Sequence, residues 1–195
     1  MSNVPIRCYF PTNPSLPTKF DLKIVHWLSR KAYDVSDVVI VVGKGGSDQP
    51  SVDQRYALWS EYLKDGQFAY ISVYKDEENS PLTAIYKMHE RSPENEFSIA
   101  VPESIAKNET FQSHFELFPN YEIIITPNYD RGYSEKMAAA AANGDFREFN
   151  KYLPSELSLD RKQAILDMIK PEEPVLNEAY WTNMLNTLYT NYGLK

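Results

Sequence analysis

The side chains best suited to chemistry are few in this sequence and scattered along it. There are three histidines, His26, His89 and His114, and one cysteine, Cys8. Their spacing fits neither a zinc-binding pattern nor a serine–histidine–aspartate arrangement, and a single cysteine cannot form an internal disulfide. We therefore predict no metal site and no catalytic residue. His26 falls in a helical pattern and is interpreted as a packed histidine rather than a phosphate ligand.

A glycine-rich turn, GKGG at residues 43–46, follows the aliphatic run Val38–Val42. Successive backbone N–H groups in such a turn can form an anion-binding nest, to which Lys44 would add a positive charge. The rest of a phosphate-binding P-loop is missing, so a plain flexible turn is the favoured interpretation. Arg55 and Arg131 could also contact an anion, although isolated arginines usually lie on the surface.

The elements that would position these groups alternate between strand and helix. The β-rich runs are 4–10, 38–42, 67–74, 96–101 and 121–126, and the helical patterns are 22–33, 52–63, 81–89, 111–118, 136–143, 146–153 and 159–170. Asp21 is placed to cap the first helix. This order predicts an α/β fold, a Rossmann-like doubly wound parallel sheet with C-terminal helices. A ligand would then lie at the carboxyl ends of the strands, where the corners after Phe10, Val42, Val101 and Thr126 meet.

Residues 1–170 are predicted to form this domain, and the sequence PEEP at 171–174 separates a C-terminal helical extension, 171–195. Five apolar side chains recur in the extension at helical spacing: Tyr180, Trp181, Met184, Leu185 and Leu188. The extension could fold back on its own domain. It could equally bind another protein or a second copy of the chain, because Trp, Tyr and Met are favoured at the centres of interfaces.

The overall charge limits the classes of partner. The net charge is −7 and the pI is about 5.0, so non-specific binding to nucleic acid or to a membrane is not expected. The sequence contains no apolar run of membrane-spanning length and no signal-peptide pattern. With one cysteine, a reducing cytoplasmic location is predicted.

One segment points to a family. Residues 133–154 read YSEKMAAAAANGDFREFNKYLP, and they resemble the Ser-Gly-Thr-Lys-Met-Arg signature of the nucleotidylyltransferase superfamily with its following Ala-rich, Gly-Asp-Phe and Phe-x-x-x-Leu-Pro segments. The chain is most similar to the cytidylyltransferase-like group, especially phage-encoded members, over about residues 5–170. The resemblance implies binding of ATP or CTP with Mg²⁺, and catalysis by positioning and charge stabilisation.

The resemblance also shows which residues differ at the first corner. The segment Ser15–Asp21 lines up with the family's Asn-Pro-Pro-Thr-x-Gly-His, in which the glycine admits the nucleotide and the histidine binds its phosphates. Pro17 and Thr18 match this pattern. Phe20 stands at the glycine position and Asp21 at the histidine position, where a carboxylate would repel a triphosphate.

Two further corners differ in the same way. In the signature motif Lys136 and Met137 match, whereas the serine, glycine, threonine and arginine positions hold Tyr133, Ser134, Glu135 and Ala138. The family's Val-Gly-Ser-Asp-Arg corner becomes Val-Pro-Glu-Ser-Ile at 101–105. We therefore predict that Asp21, Glu103 and Glu135 face one cleft. That cleft would be acidic and empty of nucleotide, or closed by Phe20 or Tyr133.

Three functions follow from these observations. The first is a catalytically degenerate nucleotidylyltransferase-like protein that acts through protein–protein interaction or as a structural component, for a phage in the host cytoplasm or the virion, with no cofactor. The second is an active nucleotidylyltransferase with rewired phosphate contacts from Lys19, Lys44, Arg55, Arg131 or Lys136. The third is a binder of a less anionic small molecule. The candidate positions in the nucleotide cleft are Thr18, Lys19, Asp21, Lys44, Glu103, Ser134 and Lys136.

Overall fold

The computed structural model describes residues 6–12, 15–31, 35–44, 50–64, 70–127 and 132–170. It contains five strands: β1 (Ile6–Pro11), β2 (Val35–Val42), β3 (Ile71–Lys75), β4 (Phe97–Pro102) and β5 (Tyr121–Thr126). All four pairings between neighbouring strands are parallel. The strand order is β3-β2-β1-β4-β5, which is a doubly wound arrangement and confirms the predicted Rossmann-like fold.

Eight helices surround this sheet within the described residues. They are α1 (Lys19–Lys31), α2 (Val52–Leu63), α3 (Pro81–His89), α4 (Glu103–Ala106), α5 (Glu109–Phe115), α6 (Tyr133–Ala142), α7 (Phe146–Asn150) and α8 (Leu159–Ile169). Asp145 and Ser158 cap α7 and α8, since their side chains accept hydrogen bonds from backbone N–H groups in the first turns of these helices. Such caps supply partners for N–H groups that a helix start leaves unpaired.

Side chains from the two faces of the sheet enter two separate cores. In β2, Val38, Ile40 and Val42 pack with helices α1, α2, α6, α7 and α8. Val39 and Val41 point to the other face, where α3, α4 and α5 cover them. Because β2 is buried on both faces, its aliphatic residues Val38–Val42 follow one another without polar interruption, as is typical of a central strand in a parallel sheet.

Several predicted bounds differ from the structure by a few residues, and two of the differences lie beside the cleft. Helix α1 begins at Lys19 rather than after Asp21. Thr18, not Asp21, precedes the first helical residue, and its hydroxyl oxygen accepts a hydrogen bond from the Phe20 N–H. The four-residue helix α4 was not predicted. It follows β4 directly, and Pro102 occupies the position before its first residue. A helix this short carries too few residues to show an apolar period.

None of the helices that the described ranges contain combines the length and apolar character that crossing a membrane would require. The predicted extension 171–195 lies outside the described residues.

Candidate functional site

The main cleft of the described structure lies at the carboxyl ends of β1 and β4. The strand order reverses between these two strands, so the loops and helices that follow them diverge to opposite faces and leave a crevice. The cleft has a volume of about 470 Å³, which is within the usual range for small-molecule sites. The strand ends contribute Phe10, Pro11, Thr12, Val101, Pro102, Thr126 and Pro127 to its lining, and the helix starts contribute Thr18, Phe20, Asp21, Ile24, Ser80, Pro81, Leu82, Ser104, Ile105, Tyr133 and Ser134.

The corner between β1 and α1 is stabilised by hydrogen bonds among its own residues. One carboxylate oxygen of Asp21 accepts hydrogen bonds from the backbone N–H of Thr18 at 2.7 Å and from its hydroxyl at 2.8 Å. The Thr18 hydroxyl oxygen in turn accepts a hydrogen bond from the Phe20 N–H at 3.2 Å. This is a reciprocal cap, in which two residues at the helix start satisfy each other's backbone groups.

The same corner is fixed to the rest of the domain. The Lys19 N–H donates to the Tyr152 carbonyl at 2.7 Å, and the Tyr62 hydroxyl donates to the Pro17 carbonyl at 2.8 Å. Tyr62 is buried, and this burial raises the pKa of its hydroxyl well above the ordinary value. Hence the N–H groups of Thr18, Lys19 and Phe20, at the start of α1, are all bonded within the protein.

An aromatic pair forms one side of the cleft. The rings of Phe20 and Tyr133 stack with centroids 4.5 Å apart and an interplanar angle of 17°. The ammonium nitrogens of Lys19 and Lys23 each lie 5.4 Å from the Phe20 centroid, and that of Lys136 lies 5.8 Å from the Tyr133 centroid. Cations at this distance are attracted by the ring faces. Three positive charges therefore lie within about 6 Å of the two ring centroids.

Of the seven candidate positions, three line the cleft: Thr18, Asp21 and Ser134. Lys19 and Lys136 lie beside the aromatic pair, as described above. Lys44 and Glu103 are exposed and lie outside the lining. Whether any of them binds a ligand stays a prediction. Lys23 was missed, although its place one helical turn after Lys19 would have grouped the two on one face of α1.

The predicted convergence of three carboxylates is wrong. Only Asp21 lines the cleft, and its charge is engaged by Thr18. Glu103 forms an ion pair with Lys107 at 2.6 Å, one turn further along the chain, because its position at the start of α4 directs it to the partner at i+4. The Glu135 side chain is exposed and lies outside the lining. The lining of the cleft is mainly apolar, and the ammonium groups of Lys19, Lys23 and Lys136 lie beside its aromatic pair.

The glycine-rich turn serves a close backbone approach. A Cβ atom added at Gly43 would lie 2.5 Å from the Pro81 nitrogen and 2.6 Å from the Asn79 oxygen. The Lys44 N–H donates to that same Asn79 carbonyl at 2.6 Å. Gly43 therefore lets β2 end against the start of α3, which explains the glycine without a bound anion. Residues 45 and 46 lie outside the described residues.

Arg55 is buried rather than on the surface, with 1% of its area exposed. Its guanidinium donates to the Gly43 carbonyl at 2.7 Å and to the Pro50 carbonyl at 3.1 Å. Burial lowers the pKa of Arg55, though an arginine stays charged at neutral pH. Arg55 therefore links α2 to Gly43 and Pro50, which lie before and after the preceding loop, and it has a structural role. Arg131 lies outside the described residues.

The start of α6 borders the cleft beside the corner between β1 and α1. Gly132 precedes the helix with φ of +71°, a backbone conformation that favours glycine. Gly132 itself has no side chain with which to cap the helix, and both Tyr133 and Ser134 line the cleft. Lys136, in the same turn, adds a charge. Across the described ranges, no group of three or more His, Cys, Asp and Glu side chains is placed to hold a metal ion.

Comparison with known proteins identifies the class of fold. Two solved structures of nicotinic acid mononucleotide adenylyltransferase from Plasmodium falciparum share this architecture at 12% sequence identity. The complex with NaAD has a TM-score of 0.58, and the match covers 85% of this chain and 94% of that chain. The complex with APC has a TM-score of 0.54, with 84% and 93% covered.

These neighbours show that the domain has the same α/β fold as the two adenylyltransferase structures. At 12% identity the likeness shows the fold alone. No family model matches the chain, and no curated protein matches it.

Proposed function

We propose that this chain is a nucleotidylyltransferase-like protein that has lost catalysis and acts by binding, as the interaction partner of another protein or as a structural component. The resemblance of residues 133–154 to phage-encoded members supports a phage origin. The protein would then act in the host cytoplasm or in the virion, without ATP, CTP or Mg²⁺ as a cofactor.

The closed corner at the start of α1 is the observation that carries this proposal. A phosphate bound there would need free N–H groups, yet those of Thr18, Lys19 and Phe20 already donate to protein oxygens. It would also meet the Asp21 carboxylate where the family resemblance implies a histidine. The repulsion between two like charges about 4 Å apart is on the order of 4 kcal/mol near a protein surface. Phe20 stands where the family resemblance implies a glycine, so its ring lines the part of the cleft that a nucleotide would enter.

The direct test is release of pyrophosphate. The purified protein would be incubated with ATP or CTP, Mg²⁺ and nicotinamide mononucleotide, phosphopantetheine or glycerol 3-phosphate. We expect release at the level of a protein-free control. A variant restored to the family pattern, F20G, D21H, E135T and A138R, serves as the comparison. Release by the wild-type protein well above background would refute the loss of catalysis.

A second candidate function is supported by the start of α6. Ser134 lines the cleft and Lys136 lies beside the aromatic pair, so the hydroxyl and the ammonium group of these residues could contact phosphates. In that case the chain would be an active nucleotidylyltransferase with rewired contacts, using Mg²⁺ and ATP or CTP. Nucleotide at 100 times its dissociation constant would stabilise the fold by about 2.7 kcal/mol, or roughly 5–10 °C in Tm for a domain of this size. The second candidate predicts such a shift, lost in Lys136→Gln and kept in Lys107→Gln. The first predicts no shift in any of the three proteins.

A further inference from the structure

Two hydroxyl groups in the cleft have no hydrogen-bond partner within the described residues. Thr126, at the end of β5, is 4% exposed, and Ser134, in the first turn of α6, is 5% exposed. Both residues line the cleft, and neither hydroxyl oxygen is sealed from solvent. Buried hydroxyls are normally paired. Two that open into a cleft without a partner therefore mark positions that a polar group of a ligand can fill.

The other threonines of the lining, and the serine before α3, are already paired. The Thr12 hydroxyl donates to a carbonyl of β2 at 3.1 Å, and the Thr18 hydroxyl donates to Asp21 at 2.8 Å. The hydroxyls of Ser80 and Thr83 are bonded to each other at 2.9 Å. The unused hydroxyls therefore both lie on the side of the cleft that β5 and α6 form.

The rest of the lining determines the size and the polarity of a ligand. It is mainly apolar, with Ile24, Leu82, Val101 and Ile105 among its residues. The cleft volume of about 470 Å³ is enough for a molecule of roughly ten to twenty non-hydrogen atoms. In such a site apolar contacts supply most of the binding, and a few polar groups orient the ligand.

The lysines beside the aromatic pair determine the sign of the ligand charge. The ammonium groups of Lys19, Lys23 and Lys136 lie close to the rings of Phe20 and Tyr133, and both rings line the cleft. None of the three lysines forms an ion pair with a carboxylate of the described residues. The lining contains one acid, which already accepts two hydrogen bonds. Three unpaired cations beside one occupied acid favour an anionic head group.

We propose that the cleft binds a small monocarboxylic acid with an apolar body. Its carboxylate accepts hydrogen bonds from the Thr126 and Ser134 hydroxyls, and its body packs against the apolar lining. A phosphate group carries more charge and needs more donors than two hydroxyls, and the N–H groups at the start of α1 are already bonded. This inference rests on the proposed function, in which the cleft takes no nucleotide.

The test is titration calorimetry of the full-length chain with 2-naphthoate, a flat apolar acid. Two molecules with the same apolar body are the comparison: 2-naphthamide is uncharged, and 2-naphthyl phosphate carries a larger negative charge. We expect a Kd of about 20–500 µM for 2-naphthoate, as is usual for roughly thirteen non-hydrogen atoms. The other two molecules should bind at least about tenfold more weakly. Absence of 2-naphthoate binding, or equal binding of either comparison molecule, would overturn the proposal.

A hydroxyl variant locates the carboxylate. Ser134→Ala should weaken 2-naphthoate binding about five- to tenfold, because one hydrogen bond to a charged group is lost. It should leave the urea midpoint of unfolding unchanged, since this hydroxyl has no partner within the described residues. Ser113→Ala, at an exposed position, is the control and should change neither quantity. Wild-type affinity in Ser134→Ala would contradict the proposed head-group position.

A pair of lysine variants tests the local charge. Lys23→Gln with Lys136→Gln removes one ammonium group beside each ring. Lys64→Gln with Lys87→Gln makes the same change in net charge at exposed positions, near the ends of α2 and α3. We expect 2-naphthoate to bind about three- to tenfold more weakly in the first variant and as in the wild type in the second. Equal losses would refute a local role for these lysines. No nucleotide is present, so these outcomes are separate from that of the pyrophosphate test.

Discussion

Replacing Asp21 by alanine should destabilise the domain by loosening the corner between β1 and α1. The change removes the acceptor of two hydrogen bonds from Thr18, at 2.7 and 2.8 Å. Loss of a helix-capping side chain costs about 0.5–2 kcal/mol. Thr18 is buried, with 2% of its area exposed, so its backbone N–H and its hydroxyl lose a partner where water has little access. We therefore expect a loss in the upper half of that range, about 1–2 kcal/mol.

The assay is equilibrium unfolding in urea, with thermal melting as a second readout. For a domain of this size the loss corresponds to a fall in Tm of roughly 2–8 °C, and the dependence of stability on urea concentration should not change. Asp53→Ala is the matched control, since Asp53 is also an acid in the first turn of a helix. Its side chain is 72% exposed and pairs with Lys75, so its removal should cost less than about 1 kcal/mol. Equal losses in the two variants would refute the argument, because the effect would then come from helix-terminal charge alone.

Three further predictions use the same unfolding assay. Gly43→Ala places a Cβ against backbone atoms 2.5 and 2.6 Å away and should cost about 2–3 kcal/mol; a loss under about 0.5 kcal/mol would show that the approach of β2 to α3 is not tight. Arg55→Met removes the donors to two loop carbonyls and should cost about 2–3 kcal/mol, whereas Arg91→Met, at an exposed position, should be nearly neutral. Burial, more than any neighbouring charge, lowers the pKa of His26 and His89 below 6.5, so the unfolded state binds more protons and stability should fall as pH drops below about 6.5; a midpoint that is flat from pH 7.5 to 5.5 would contradict this.

Much of the fold follows from patterns that local sequence can carry. The predicted bounds of α2, α3 and β5 agree with the structure at both ends. Each has a strong local signal: Ser51 and Ser80 cap the two helices, and β5 is an unbroken β-rich run. The strand order was predictable because alternating strands and helices can be joined in few right-handed ways.

The site was harder to predict because side-chain direction depends on contacts between distant parts of the chain. The three acids were expected to converge from the positions of their corners alone. Glu103 instead pairs with Lys107, directly after its own helix, and Asp21 accepts hydrogen bonds from Thr18 within its own turn. The buried Arg55 side chain is stabilised by hydrogen bonds to the Gly43 and Pro50 carbonyls. A sequence pattern does not show that these carbonyls face the arginine.

The position of β1 at the centre of the sheet affects how the chain is made. One edge of β1 pairs with β2, about thirty residues later, but the other pairs with β4, where Arg7 is opposite Phe97. At a translation rate of about 5–20 residues per second, the ribosome needs roughly 5–20 s to add the ninety residues in between. During that time the second edge of β1 has no strand to bond, and an unpaired edge is a template for aggregation. We expect the nascent chain to bind chaperones until β4 is synthesised. The chaperones should be released when β4 pairs with the free edge of β1.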